Sequence, residues 1–300
     1  MSSEDPFSRN SPIFTRAGQD VLKDSRIAVL GVGGDGGVVA EGLARMGVGS
    51  LITADPEAFD RPNATRQTAS NINTIGVNKA IAVSQHVKDI GLAISDSFEV
   101  ITYPEGVTRD NIEGIVSEAD LIVDETDFTH PDIGIMIGKF ARLQGIPVVM
   151  AMNVAFGANV RSFHPNGPTL EDVLGVDTER LNDGNNAMVD APLSEWLPYV
   201  PPYVDLEEFK KVAQGLIPAP SVYPGVGVAG SLAVTEVFKV LMDFNLGKSN
   251  KFPQPTYVNR VRVYDPMSGA SFVTKHPRLS YKKSIARLVI NNLLGRSPKV

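Results

Sequence analysis

The first clear apolar run, Arg26-Ile-Ala-Val-Leu-Gly31, is short and carries β-branched residues; it opens into a glycine cluster followed by Val38, Val39, Leu43 and Met46 at helical spacing. Strand, tight turn and helix are predicted in that order. A second run, Ser50-Leu-Ile-Thr-Ala54, ends at Asp55, so the unit spans about 30 residues and predicts a βαβ opening. Apolar stretches at 98–102, 120–123 and 146–152 alternate with helix-like segments near 76–90, 108–117 and 132–144. That rhythm predicts an α/β fold, a Rossmann-like doubly wound, mostly parallel sheet with helices on both faces.

The pattern changes after residue 153. Asn159-Val-Arg-Ser-Phe163 predicts another short strand, and 165–220 is rich in Pro, Gly, Asn and Asp. A stretch of that length predicts short helices, at 170–175, 192–197 and 205–215, serving as a lid, a substrate channel or decoration. Trp196 within it reads as a packing anchor. Residues 212–235 carry no charge, but Pro218, Pro220 and Pro224 interrupt the first half and Glu236 and Lys239 follow, which predicts a loop and then a buried helix, not a membrane span. Arg260–Tyr264 and Ala270–Thr274 flank Asp265-Pro-Met-Ser-Gly269 and predict a hairpin that extends the sheet with antiparallel strands. From Lys275 to Val300 there are seven basic residues and no acid, with Ile285, Leu288, Val289 and Leu293 on one face of a possible helix. Such a tail covers the protein's own core or docks on an acidic partner or anionic membrane surface.

Composition narrows the chemistry. The 300 residues are 43% hydrophobic and 21% charged, as in a soluble protein, and 28 basic against 34 acidic residues give a net charge of −6, which disfavours a general nucleic-acid binder. Zero Cys removes disulfides, Cys-built zinc or iron–sulfur sites and any thioester carrier in this chain. The four His are scattered, and the start, Met-Ser-Ser-Glu-Asp-Pro, lacks the pattern of a secretory signal, so a cytoplasmic location is expected.

The turn after the first strand reads Gly31-Val32-Gly33-Gly34-Asp35-Gly36, a dinucleotide fingerprint whose glycines let backbone approach a phosphate at a helix N-terminus. Asp55, 24 residues beyond Gly31, has the spacing of a ribose-binding acid. The stretch beyond Asp55 separates the chain from a dehydrogenase: it carries Glu57, Asn63, Arg66-Gln67, Gly76, Lys79 and, after a late strand, Thr126-Asp127. In order and spacing these residues resemble the ThiF/MoeB superfamily of ubiquitin-activating-type adenylyltransferases, clearly over about residues 5–160 and more loosely over 215–275.

The resemblance implies an ATP- and Mg²⁺-dependent enzyme that activates the C-terminal carboxylate of a peptide or small ubiquitin-like protein as an acyl-adenylate. It implies that Arg66 and Lys79 grip phosphates and that Asp127 holds Mg²⁺. Asn63 and Gln67 would lie near the nucleotide, with Asp55 and Glu57 at its ribose. Such roles suit the residue types, because charge gathers on the triphosphate as pyrophosphate leaves, and Arg offers a planar fork where Lys offers a point charge. The family commonly works as a homodimer with an N-terminal arginine crossing into the neighbour's site. Here Arg9, in Pro6-Phe7-Ser8-Arg9, is the candidate, with Arg16 as runner-up. Family zinc motifs of paired Cys are absent, so no zinc is expected.

Four positions depart from the family pattern: Asp35 where Leu or Ile is usual, Glu57 as a mild change at the family's second acid, Pro62 before Asn63, and Phe128 in place of an amide after Asp127. An acid at a helix N-terminus is favoured by the dipole but repels phosphate if it points inward, so Asp35 either turns away or contacts Mg²⁺ or substrate. The bland readings are surface charge for Arg66 and Lys79 and helix capping for Asp124 or Asp127. Two other functions share the fingerprint: a non-catalytic ATP-binding partner in a biosynthetic assembly, and an NAD- or FAD-dependent oxidoreductase. The expected organisation is an N-terminal dimer-contact segment (1–25), a nucleotide-binding core (26–160), an insertion (161–222), a helix and antiparallel strands completing the same domain (223–275), and the basic helix (276–300).

Overall fold

The computed structural model describes residues 5–128, 130–175, 197–213, 216–247 and 250–275. Trp196, nearly all of the helix expected at 192–197 and the basic tail beyond Lys275 lie outside the described residues.

Among the described residues eight strands form one sheet: β1 (Arg26–Leu30), β2 (Ser50–Ala54), β3 (Glu99–Tyr103), β4 (Leu121–Asp124), β5 (Val148–Val154), β6 (Gly157–Phe163), β7 (Arg260–Asp265) and β8 (Ala270–Lys275). Their order is β3-β2-β1-β4-β5-β6-β7-β8. The first five run parallel, with Leu30 aligned to both Ala54 and Asp124, and β6, β7 and β8 add an antiparallel extension. The expected α/β architecture is therefore present. Successive residues of β1 enter opposite cores, Ile27 and Val29 on one face and Ala28 and Leu30 on the other, which is why the strand reads as an unbroken apolar run.

Helices α1 (Arg16–Asp24), α2 (Gly34–Met46), α3 (Lys79–Leu92) and α8 (Tyr223–Leu246) are associated with one face, and α4 (Ile112–Ser117), α5 (Pro131–Gln144) and α6 (Leu170–Leu174) with the other. A further helix, α7 (Leu206–Ala213), belongs to the segment between β6 and α8. Caps set the boundaries that periodicity placed loosely. The Asn78 side chain accepts from the Ile81 amide, so α3 starts at Lys79 and not near 76. Thr108 and Asn111 exchange backbone-to-side-chain bonds and hold the chain in a turn before α4.

Helix α8 is long and apolar enough to cross a membrane by length and composition, yet 72% of its most apolar window is buried inside the protein. Small residues bring it close to α2. A Cβ at Gly230 would fall 2.4 Å from Val38, and one at Gly42 would fall 2.8 Å from Val234. The charges that follow the apolar stretch also turn inward. Glu236 and Lys239 form a buried ion pair at 2.5 Å, and Glu236 also accepts from the Thr256 amide and, at 3.2 Å, from the Ser162 hydroxyl. One helix is thereby fixed to β6 and to the segment before β7.

Candidate nucleotide and acyl-substrate site

The site is built at the C-terminal edge of the parallel strands. Gly31 leaves β1 with φ +86°, and a Cβ there would lie 2.3 Å from the Glu125 carbonyl; a Cβ on Gly36 would lie 1.8 Å from the carbonyl of Gly31. Both positions require glycine. Gly33 precedes α2 and supplies no side-chain cap, so the first amides of α2 and its positive dipole end face the turn without a capping side chain. Asp55, at the end of β2, accepts from the Val32 amide at 3.0 Å and from the Glu57 amide at 3.0 Å, pinning the glycine turn to the neighbouring strand. Burial raises its pKa, while these amides and the Lys79 charge act against the rise.

Lys79, the first residue of α3, pairs with Glu57; its side chain is 7% exposed and that of Glu57 is 70% exposed. The ammonium is thus held inward beside Asp55, not on a solvated face. An ammonium has three donors, and this pair uses one. Asn63 is buried in a 3-10 turn, Arg61–Thr65, where it and Asp60 bond each other's amides at 3.1 Å. That turn delivers Arg66 and Gln67. The Arg66 guanidinium donates to the Pro62 carbonyl at 3.2 Å and its charge is felt by Asp35. The Gln67 amide lies over Gly33, and its Oε1 is buried without a hydrogen-bond partner. Rotation of the amide would turn its donor to the same place.

At the end of β4, Asp124 is buried and accepts from the Thr126 amide and hydroxyl at 3.1 and 2.7 Å; burial pushes its carboxyl up to about 6. Asp127 stands exposed three residues on, 3.8 Å from His130. Neither acid caps α5, whose N-cap residue is His130.

Strand β5 outruns β4, and its amides at 151 and 153 lie past the last β4–β5 pair, Val123 with Val149. Two acids take up these amides. Glu125 accepts from the Ala151 amide at 3.1 Å, and Asp35 accepts from the Asn153 amide at 2.9 Å and from its side-chain amide at 2.9 Å. Of the two orientations open to it at the helix N-terminus, Asp35 therefore turns toward β5. Burial pushes it up to about 6, opposed by the Asn153 bonds and Arg66, and burial together with Asp35 raises Glu125 well above the usual carboxylate range.

Next to these residues opens a cavity of about 660 Å³ lined by Gly34, Asp35, Arg66, Gln67, Asp127 and an apolar set from the ends of β4 and β5 and from the segment 197–222. Tyr203 anchors that segment: its hydroxyl donates to Asp265 at 3.0 Å and accepts from the Phe156 amide at 3.3 Å. Sequence reasoning had no signal for Glu125, Asn153 or Tyr203, because each acts through a partner distant in the chain. Gly34, Arg66, Gln67 and Asp127 are brought to one cavity, and Gly31, Asp55, Glu57 and Lys79 to the adjoining β2 side of the turn. Arg9 is not brought there. It is exposed on a segment whose Phe7 packs against Gly47, at the far end of α2, about 20 Å of helix away from the glycine turn.

The chain is 33% identical over 150 residues to the tRNA threonylcarbamoyladenosine dehydratase of Bacillus subtilis (strain 168), covering 50% of this chain and 57% of that protein. It is 28% identical over 158 residues to the sulfur carrier protein adenylyltransferase of Thermus thermophilus, covering 53% and 55%. These matches span little more than half the length of either relative. The crystal structure of E. coli MccB with ATP superposes with a TM-score of 0.61 at 20% identity, covering 91% of this chain and 72% of that one, which shows a shared fold. The model of the ThiF family matches residues 7–284. With nearly its whole length matched, the chain belongs to the ThiF family.

Proposed function

We propose that the chain is an adenylyltransferase that uses ATP and Mg²⁺ to activate the C-terminal carboxylate of a peptide or ubiquitin-like protein. The observation that carries this reading is that one glycine turn has Arg66 on one side, lining an open cavity, and Lys79 on the other, beside Asp55. The relative named as a sulfur carrier protein adenylyltransferase supports the same chemistry.

In the reaction a carboxylate oxygen of the substrate forms a bond to the α-phosphorus of ATP, and the bond from that phosphorus to the bridging oxygen breaks. Pyrophosphate leaves with the electron pair. The amides at the start of α2 receive phosphate oxygens, Arg66 steadies the α-phosphate and the approaching carboxylate, and Lys79 turns a remaining donor to the triphosphate. Asp55 and Glu57 sit where ribose hydroxyls would donate. The residues fit Mg²⁺. Asp127 is an exposed hard oxygen donor of the kind that shares this ion with phosphates, and the acids around the turn outnumber the two cations, so a triphosphate needs added positive charge. When bound there the ion would neutralise charge developing on the phosphates. The chain has no Cys, so the acyl group passes to an external nucleophile.

We further assign Arg9 to the site of a second copy in a homodimer, because its place at the far end of α2 keeps it from its own. The test of activity is exchange of labelled pyrophosphate into ATP with Mg²⁺ and a panel of peptides with free C-termini. Exchange is expected with wild-type protein, reduced at least about a hundredfold by Arg66→Ala or Asp127→Asn, as for loss of a charge-stabilising group. Exchange that survives both substitutions would refute the assignment.

A further inference from the structure

Resting on the adenylation reading, we infer that the cavity beside Arg66 holds the side chain of the substrate's last residue and that this residue is bulky and apolar, of leucine to phenylalanine size. The cavity is continuous with the chemistry, since Gly34, Arg66 and Asp127 line the same space as Phe128, Met152, Phe156, Leu197, Phe209 and Val212. The nucleoside belongs on the other side of the glycine turn. Asp55 closes β2 and β3 lies beyond it, whereas the cavity lies past β4 and β5. A carboxylate held at Arg66 therefore projects its own side chain into the apolar space.

Apart from Asp127, which the proposed reading gives to Mg²⁺, the acids that reach the cavity are already engaged. Asp205 accepts from the Glu207 and Glu208 amides at the start of α7, Glu208 pairs with Lys211 at 2.5 Å, and Asp35 and Glu125 hold the β5 amides. They leave apolar contact as the main discriminating interaction. Against a tail ending in glycine, the apolar part of this space, lined by Phe128, Met152, Phe156, Leu197, Phe209 and Val212, would stay bare. Its wall is built in advance. The Tyr203 and Phe156 rings meet edge to face with centroids 6.1 Å apart, both are tied to Asp265 through the Tyr203 hydroxyl, and Ala155 forms a bridge with Ser221.

The test is calorimetric titration of the full chain, loaded with Mg²⁺ and a non-hydrolysable ATP analogue, with short peptides that differ only in a final Phe, Leu, Gly or Asp. Peptides ending in Phe or Leu are expected to bind at least about tenfold more tightly than the Gly form, as for burial of one large apolar side chain. Val212→Trp, which fills the space, is expected to erase that preference while leaving affinity for the ATP analogue unchanged, with Ile217→Trp, at another residue of the same wall, as a second filling variant should the first not fold. Equal or tighter binding of the Gly or Asp form, or no binding of the Phe and Leu forms, overturns the inference. So does loss of nucleotide affinity in a folded filling variant, which would put the base in the cavity. Pyrophosphate exchange with the same peptides reads adenylation separately. Binding of the Phe form without exchange counts against the proposed activity and leaves the cavity's preference standing.

Discussion

Asp35 pays in stability for a position that ties the glycine turn to β5. Its folded carboxyl titrates near 6, against an ordinary value of 3.8, and burial is the main cause. The unfolded chain gives up this proton first as pH rises, so the folded state loses relative stability between about pH 4 and pH 6 and stays lower above that window. A rise from 3.8 to about 6 sets a ceiling of about 3 kcal/mol on the loss. Asp35→Asn keeps an oxygen that accepts from the Asn153 amide and removes the charge. The variant is expected to melt at a higher temperature than wild type at pH 7.5, and its stability should vary less between pH 4 and pH 6, as read by urea unfolding across that range. A variant that is less stable by the same amount at every pH would show that the carboxylate carries no ionisation cost. The glycines, Arg66 and Lys79 were legible because their pattern is local in the chain. The partner of Asp35 was not, since Asn153 lies 118 residues away.

At the level of elements, the parallel strands could be read from sequence because they are buried on both faces and appear as apolar runs. Helix starts were less legible, because Asn78 and the Thr108–Asn111 turn decide them through single hydrogen bonds that periodicity does not encode. The overhang of β5 beyond β4 was invisible for a related reason. Run length does not say where a neighbour ends, and the orphan amides at Ala151 and Asn153 become evident only once the register is known. Those amides account for two acids beside the glycine turn, where acids would otherwise weaken the proposed phosphate binding. The composition of the segment after β6 predicts short helices, and α6 and α7 lie within the spans expected at 170–175 and 205–215. Its role as a cavity wall depends on Tyr199 and Tyr203 reaching Asp265, which lies more than 60 residues further along the chain.

For the molecule as a whole, the continuous sheet places β2 and β3 on one side of the glycine turn and β4 to β6 on the other, the sides that the proposed reading gives to nucleotide and acyl substrate. The N-terminal segment is placed at the opposite end of α2, and in the proposed reading its arginine serves the site of a second chain. If it does, Arg9→Ala and Arg66→Ala are each inactive alone, and a re-equilibrated equal mixture recovers about a quarter of wild-type exchange, because half the dimers then carry one intact site. No recovery in a mixture shown to be dimeric would confine Arg9 to a packing role. The central claim is that a triphosphate sits over the glycine turn between Arg66 and Lys79, and titration of the protein with ATP in the presence of Mg²⁺ tests it most directly. Saturable binding to wild type, weakened at least about tenfold by Lys79→Ala and by Arg66→Ala in folded protein, is the predicted result. Undiminished ATP binding in both variants, or binding of NAD in place of ATP, would contradict it.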